Sequence, residues 1–239
     1  MNKKENWTSF FTSLLGVILG IVLTFGVNEL WQKKEEKKRT KEMLILVRNE
    51  LERNKKWFKN QEEILKKDSE AFTKILEASK KWSSFPEDSL AIYVQQFANV
   101  SHQQLTTSAW QIFQNSEMIQ KISNKELIIR LTDCYFVINT LYDFIIKNYW
   151  DKKYEIIPFE YNDLYGFLDA VMSNKEAVKF LKTMSQNIFA NSIQYTDAII
   201  EYTISLLDRY GDFKYDMDEF DQDFRNYIEM RNDSINKNN

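Results

Sequence analysis

Few side chains in this chain are of the kinds that make catalytic centres, and those few are far apart. One histidine, His102, and one cysteine, Cys134, occur in 239 residues. His102 stands beside Ser101, but no third group is spaced to orient the ring, so a loop histidine is expected rather than a triad base. Cys134 falls within an apolar stripe, which suits an inert core thiol. Metal sites built from His and Cys need more of either than is present. The string Asp216, Asp218, Glu219, Asp221 and Asp223 offers hard oxygen ligands for a cation. It lacks the glycine and distal glutamate of a calcium loop, so a solvated acidic tail is expected. Phosphate-cradling loops need clustered glycines, and neither the Walker loop nor the dinucleotide fingerprint occurs. Carboxylate pairs on helix surfaces leave no motif that would single one out. The expectation is no catalytic residue, no metal and no cofactor.

The elements that would hold these side chains begin with an apolar run. Thr8 to Asn28 is 21 positions without a charge, TSFFTSLLGVILGIVLTFGVN. At ~1.5 Å per residue such a helix crosses the ~30 Å hydrocarbon core of a bilayer. Trp7 and Trp31 flank the run, where indoles favour the headgroup layer, and Lys33, Lys34, Lys37 and Lys38 follow. A single transmembrane helix is the reading. A cleavable signal peptide is the competing one, since Thr24 and Gly26 form a small-x-small pair. Against it, the apolar core exceeds the usual ~7–15 residues, and the helix-forming ELWQKKEEKKRTKE follows without a turn.

Lys3 and Lys4 precede the span, whereas Lys33, Lys34, Lys37, Lys38, Arg39, Lys41 and Arg48 follow it. This asymmetry favours an inner-membrane protein whose C-terminal domain is cytoplasmic. The same basic run adjoins the span, which points to anionic headgroups of the lipid bilayer rather than to nucleic acid. Gly16 and Gly20 form a G-x-x-x-G pair, with Ser9, Ser13 and Thr24 adding small residues. Close approach of two spans, and hence a homo-oligomer, is one use of that spacing; ordinary small-residue usage is the other.

Glycine and proline decide the fold class. Five Gly and two Pro occur in all, and Gly16, Gly20 and Gly26 lie in the apolar run. Hairpins and tight turns draw on both residues, so the remainder is expected to be all-α. The organisation read is an N-terminal anchor over 1–31, a helical bundle of about four main helices over 32–211, and an acidic tail over 212–239. Leu44, Leu51, Phe58, Leu65 and Phe72 recur every seven residues. Val47 and Ile75 share the companion position with Asn54, Gln61 and Asp68. Met43, Trp57, Ile64 and Ala71 widen the stripe, and Ser83, Ser84 and Pro86 end the helix.

A short helix is expected from about Pro86 or Asp88 to Asn99, then two short pieces with Trp110, Phe113, Met118, Ile119 and Ile122 inward. A capping box of Ser123 with Glu126 starts a helix with Leu127, Leu131, Cys134, Ile138, Leu141 and Ile145 buried, broken at Pro158. A second box, Ser173 with Glu176, starts a last long helix to about Arg209, with Gly211 as its C-terminal cap. Beyond Gly211 the tail is read as losing periodicity.

Two stretches, GVILGIVLTFGVNELWQKKEEKKRTKE and TTSAWQIFQNSEMIQKISNKELIIRL, resemble one group of proteins. They look like an uncharacterised family of bacterial single-pass membrane proteins, frequent in Bacteroidetes. The resemblance implies an anchor followed by a helical domain, and it implies no activity and no residue roles. The function expected is therefore non-catalytic: a membrane-anchored helical protein that binds other proteins as scaffold, adaptor or sensor. The alternatives are an extracytoplasmic ligand sensor, a membrane-permeabilising effector, or an enzyme built on carboxylates without a motif.

Overall fold

The computed structural model describes residues 3–80, 85–100, 104–158 and 163–209. Every regular element among them is helical. In chain order these are α1 (Lys3–Ala78), α2 (Glu87–Ala98), α3 (Ser108–Gln114), α4 (Met118–Lys121), α5 (Lys125–Ile145), a π-helical segment (Ile146–Trp150), α6 (Asp151–Ile156), α7 (Leu164–Ser173), α8 (Lys175–Met184) and α9 (Ala190–Asp208). The chain forms two compact units, one from Met1–Val47 with Ala109–Ser123, the other from Arg48–Ser108 with Asn124–Asn239. Helix α1 supplies a part of each. His102, the Asp216–Asp223 string, Gly211, Ser83 and Ser84 lie outside the described residues.

In the first unit, α1 carries an apolar window that makes it long and apolar enough to cross a membrane. Its side chains lie open, from Leu14 at 42% to Leu23 at 63% exposed. The same unit buries Thr40, Met43, Leu44 and Val47 of α1, together with Trp110, Phe113 and Ile122. Met118 and Ile119, expected inward with them, are half-buried. Lys121 Nζ meets Glu36 at 2.7 Å.

The second unit is built on α1, α5 and α9. The seven-residue stripe of α1 is buried as expected, with Leu51, Phe58 and Phe72 fully enclosed. The stripe of α5 is buried at all six positions from Leu127 to Ile145. Burying one such side chain contributes ~1.5–3 kcal/mol. Along one edge, four polar residues of α1 spaced by seven zip onto the α8–α9 connection and α9: Ser69 to Ser185 O at 2.8 Å, Glu62 to Gln194 at 3.0 Å, Lys55 to Glu201 at 3.3 Å and Arg48 to Asp208. Residue numbers rise on one helix and fall on the other, so α1 and α9 are antiparallel.

Three expectations need correction. The capping boxes sit one residue late. Asn124, not Ser123, caps α5 by accepting from Leu127 N at 3.1 Å. Asn174, not Ser173, caps α8 by accepting from Glu176 N at 3.0 Å and Ala177 N at 3.3 Å. Asparagine is as good a cap as serine, and both sites read Ser-Asn-Lys-Glu. The last long helix is in fact two, α8 and α9, parted at Asn187. Its φ of 49° is left-handed, a conformation asparagine tolerates and a helix does not. Finally, the helix begun at Asn124 does not stay α-helical to Pro158 but widens into the π segment.

Candidate functional site

The inner face of α1 in the second unit carries a row of enclosed polar residues. Glu50, Asn54, Gln61 and Asp68 are each at most 1% exposed. Each meets a partner from a different part of the unit. Tyr135 Oη donates to Glu50 at 2.7 Å. Asn54 Nδ2 donates to Thr106 O at 2.8 Å and its Oδ1 accepts from Thr106 N at 3.3 Å. Trp150 Nε1 donates to Gln61 Oε1 at 3.0 Å. Gln61 Nε2 has no partner, the one loose end in the row.

Asp68 is the centre. Lys153 Nζ reaches Asp68 Oδ2 at 2.6 Å, and both side chains are fully enclosed. Tyr149 Oη donates to the same oxygen and Gln96 Nε2 to the other. Lys153 also donates to Gln96 O at 3.3 Å. The rings of Trp150, Tyr149 and Phe72 surround the ammonium, with centroids 5.3, 5.6 and 5.8 Å from it. Their negative faces complement the cation where no oxygen does.

The π segment makes this cage. A π turn holds more residues than an α turn, so two successive steps of four, Ile145 to Tyr149 to Lys153, stay on one face. Burial pushes the Lys153 pKa below the ordinary lysine value, and the Asp68 charge partly restores it. Burial also raises the Tyr149 phenol well above its usual value, with the Asp68 charge adding to the rise.

A lysine of lowered pKa beside a carboxylate has the makings of an amine nucleophile. Here Nζ is wrapped on every side. Among the described residues, Lys153 and Asp68 are each 0% exposed. The cluster ties α1 to α2, the π segment and α6.

An open feature among the described residues is a groove of about 440 Å³ between α5 and α9. Phe136, Phe144 and Tyr195 line it and are 70%, 48% and 53% exposed. Ile129, one turn-pair before Phe136, extends the apolar strip on α5. A second groove of about 330 Å³ shares Phe144 and runs past Ile188 and Met184 between Lys152 and Lys179. Large exposed aromatics aligned in a concave strip suit an apolar partner surface.

The residues expected to act are each described within their own unit. Trp31 is 72% exposed. Lys33 pairs with Glu29 at 2.5 Å, Lys38 with Glu42 at 3.8 Å and Arg39 with Glu35 at 2.6 Å, all on the helix surface. Lys34 and Lys37 are exposed without such a pair. A Cβ added at Gly16 or Gly20 would meet nothing within 4 Å. Trp7 belongs to α1, with its side chain outside the described set. Cys134 is buried, and burial pushes its thiol up to about 12, as an inert core thiol requires.

Among the described residues, no three His, Cys, Asp or Glu side chains are grouped to hold a metal ion. Sequence reading singled out Asn54, Gln61 and Asp68 by position but found none of their partners. It missed Glu50, Lys153 and the aromatic groove. Comparisons with protein families, curated proteins and solved structures gave no match.

Proposed function

We propose that this is a non-catalytic, membrane-anchored helical protein that docks other protein segments, as scaffold, adaptor or sensor. The observation that carries the reading is the α5–α9 groove, where three aromatic side chains face solvent in one concave strip. Exposure of that kind costs solubility unless something covers it. The membrane part rests on the apolar window of α1, which has the length and composition of a span. On this reading the protein sits in the inner membrane with its C-terminal part in the cytoplasm, because Lys and Arg crowd the C-terminal side of the window. Lys34, Lys37 and Lys41 recur at helical spacing there and would face anionic headgroups. Gly16 and Gly20 on one face leave room for a second span, and a homo-oligomer is part of the proposal. Membership of the single-pass bacterial family rests on the two resembling stretches.

Two measurements test it. A reporter active only outside the cytoplasm, fused after Ile228, should stay silent; activity there would reverse the orientation and favour a sensor of external ligands. A photo-reactive phenylalanine analogue at Phe136 should capture a polypeptide segment in intact membranes. The same analogue at Ile92, exposed on α2 away from the groove, should capture far less. Equal yields at the two positions would remove the groove from the proposal.

A further inference from the structure

We propose that the α5–α9 groove and the second groove beside it dock one amphipathic helix of another protein, whose apolar strip ends in an acidic and then a basic residue. The inference rests on the reading of the α5–α9 groove as a docking surface and names the chemistry of what it takes. Four exposed charges rim the second groove: Lys152 and Glu155 on α6, Glu176 and Lys179 on α8. None of the ion pairs among the described residues uses them. Their order along the two walls is what points to a partner.

Both walls begin at the same end. Phe144 meets Phe189 with ring centroids 5.5 Å apart, and Tyr149 meets Phe180 at 5.7 Å. Residue numbers therefore rise along α5, the π segment and α6 while they fall along α8. Leaving the Phe144 end, the first wall presents Phe144, then Lys152, then Glu155; the opposite wall presents Ile188 and Met184, then Lys179, then Glu176. Each wall reads apolar, basic, acidic, with ~4.5 Å of helix between its two charges. A partner that meets both walls must read apolar, acidic, basic in the same direction. A segment of one sign would satisfy one pair of side chains and be repelled by the other. Past Phe144 the α5–α9 groove continues the apolar end, and none of the residues lining it is charged. From Phe136 to Glu155 the wall runs ~28 Å, the length of about five helical turns. A helix of that length meets such a surface through one residue in every three or four.

The test measures the fluorescence anisotropy of two labelled synthetic helices on the full-length chain in lipid nanodiscs. Both carry leucines at helical spacing; one then ends in Glu and, a turn later, Lys, and the other exchanges these two. The first should bind about tenfold more tightly, an advantage that shrinks as salt is raised. The fourfold variant Lys152→Glu, Glu155→Lys, Glu176→Lys and Lys179→Glu should reverse the preference, and its binding of the exchanged helix shows that it is folded. A preference unmoved by that variant overturns the proposal. Equal binding of the two helices, lost with Phe136→Asp, overturns the charge order and leaves the α5–α9 groove as a docking surface. If neither helix binds, the proposal falls, whereas the docking reading falls only if the photo-reactive analogue at Phe136 also captures nothing. With isotopically light and heavy chains mixed, a Phe136 adduct joining one to the other puts a second copy in the groove and overturns the partner helix.

Discussion

Around Asp68, charged and hydroxyl-bearing side chains are sealed from water; along α5 and α9, aromatic rings are turned out into it. Both regions belong to the same compact unit and draw on the same helix, α5 with its π extension. Their inversions have different causes. The buried groups are tolerated because each charge and nearly every polar atom has a partner; without partners such burial costs several kcal/mol per ion. Of the exposed rings, Phe144 meets Phe189 edge to face, with centroids 5.5 Å apart, and all three keep about half or more of their surface open to water. The first region thus selects one packing of α1 against its neighbours, and the second is free to meet something else. Stability and recognition should therefore respond to different substitutions.

The largest effect is expected at the sealed pair. Lys153→Met leaves the Asp68 carboxylate enclosed without its cation and should cost ~3–5 kcal/mol in urea unfolding of the chain in mild detergent. Adding Asp68→Leu removes the stranded charge, so the double variant should recover most of that loss. A single variant within ~1 kcal/mol of the parent would mean that water reaches the cage and that the contrast with the groove is false. By the same logic, Gln61→Leu strands the Trp150 indole N–H and should cost ~1–3 kcal/mol.

Titration sharpens the contrast next, because the buried region is linked to pH, whereas Phe136 and Phe144 of the groove carry no ionisable group. Cys134 has a folded pKa of about 12, above its ordinary value. Its contribution is fully present below the unfolded pKa and is lost as pH rises from there through the folded one. The expected slope is ~1.4 kcal/mol per pH unit over that window. Tyr149 and Tyr135, both raised chiefly by burial, add losses of the same sign above about pH 10. Lys153 is shifted down, so the unfolded chain binds more protons and its contribution rises with pH until about 10.5. Three groups outweigh one above pH 10, where stability should fall steeply. Cys134→Ala should shallow the fall and Phe136→Ser should not. A parent and a Cys134→Ala variant with parallel pH profiles would show the thiol to be solvated.

Helix starts supply a smaller effect and show where sequence reading reached its limit. The stripes of α1 and α5 were legible because burial imposes a period on apolar residues, and composition alone pointed to helices. Asn54, Gln61 and Asp68 stood out as polar residues at apolar positions. Their partners did not, because Lys153 lies 85 residues from Asp68 and is turned inward by a π segment that no local pattern announces. Phe136 and Tyr135 are adjacent and equally aromatic; only their phase against the stripe separates the exposed ring from the buried one. At Ser-Asn-Lys-Glu two residues compete to cap, and propensity does not choose between them. Geometry does. Asn124→Ala and Asn174→Ala should each cost ~1 kcal/mol, while Ser123→Ala and Ser173→Ala should change little. The reverse order would restore the serine boxes.

The smallest effect on stability, and the one that separates the two regions most cleanly, belongs to the groove. Phe136→Ser and Tyr195→Ser each remove a ring that is more than half exposed. Changes at such surface positions usually lie within ~0.5 kcal/mol, since little apolar area is returned to water. The pair together should therefore unfold at nearly the parent's urea midpoint, with an unchanged slope. Yet the same pair removes two of the three rings that line the strip, and the photo-adduct from an analogue at Phe144 should fall sharply. Such a result would place recognition on a surface that folding does not need. If instead the double serine variant lost several kcal/mol, the rings would be covered in the folded chain by a segment that stabilises it, and the groove would be a seam of the fold. The unfolding midpoint after deletion of 212–239 then decides between the two, because a stabilising cover made by that segment would give the deletion and the double serine variant the same loss.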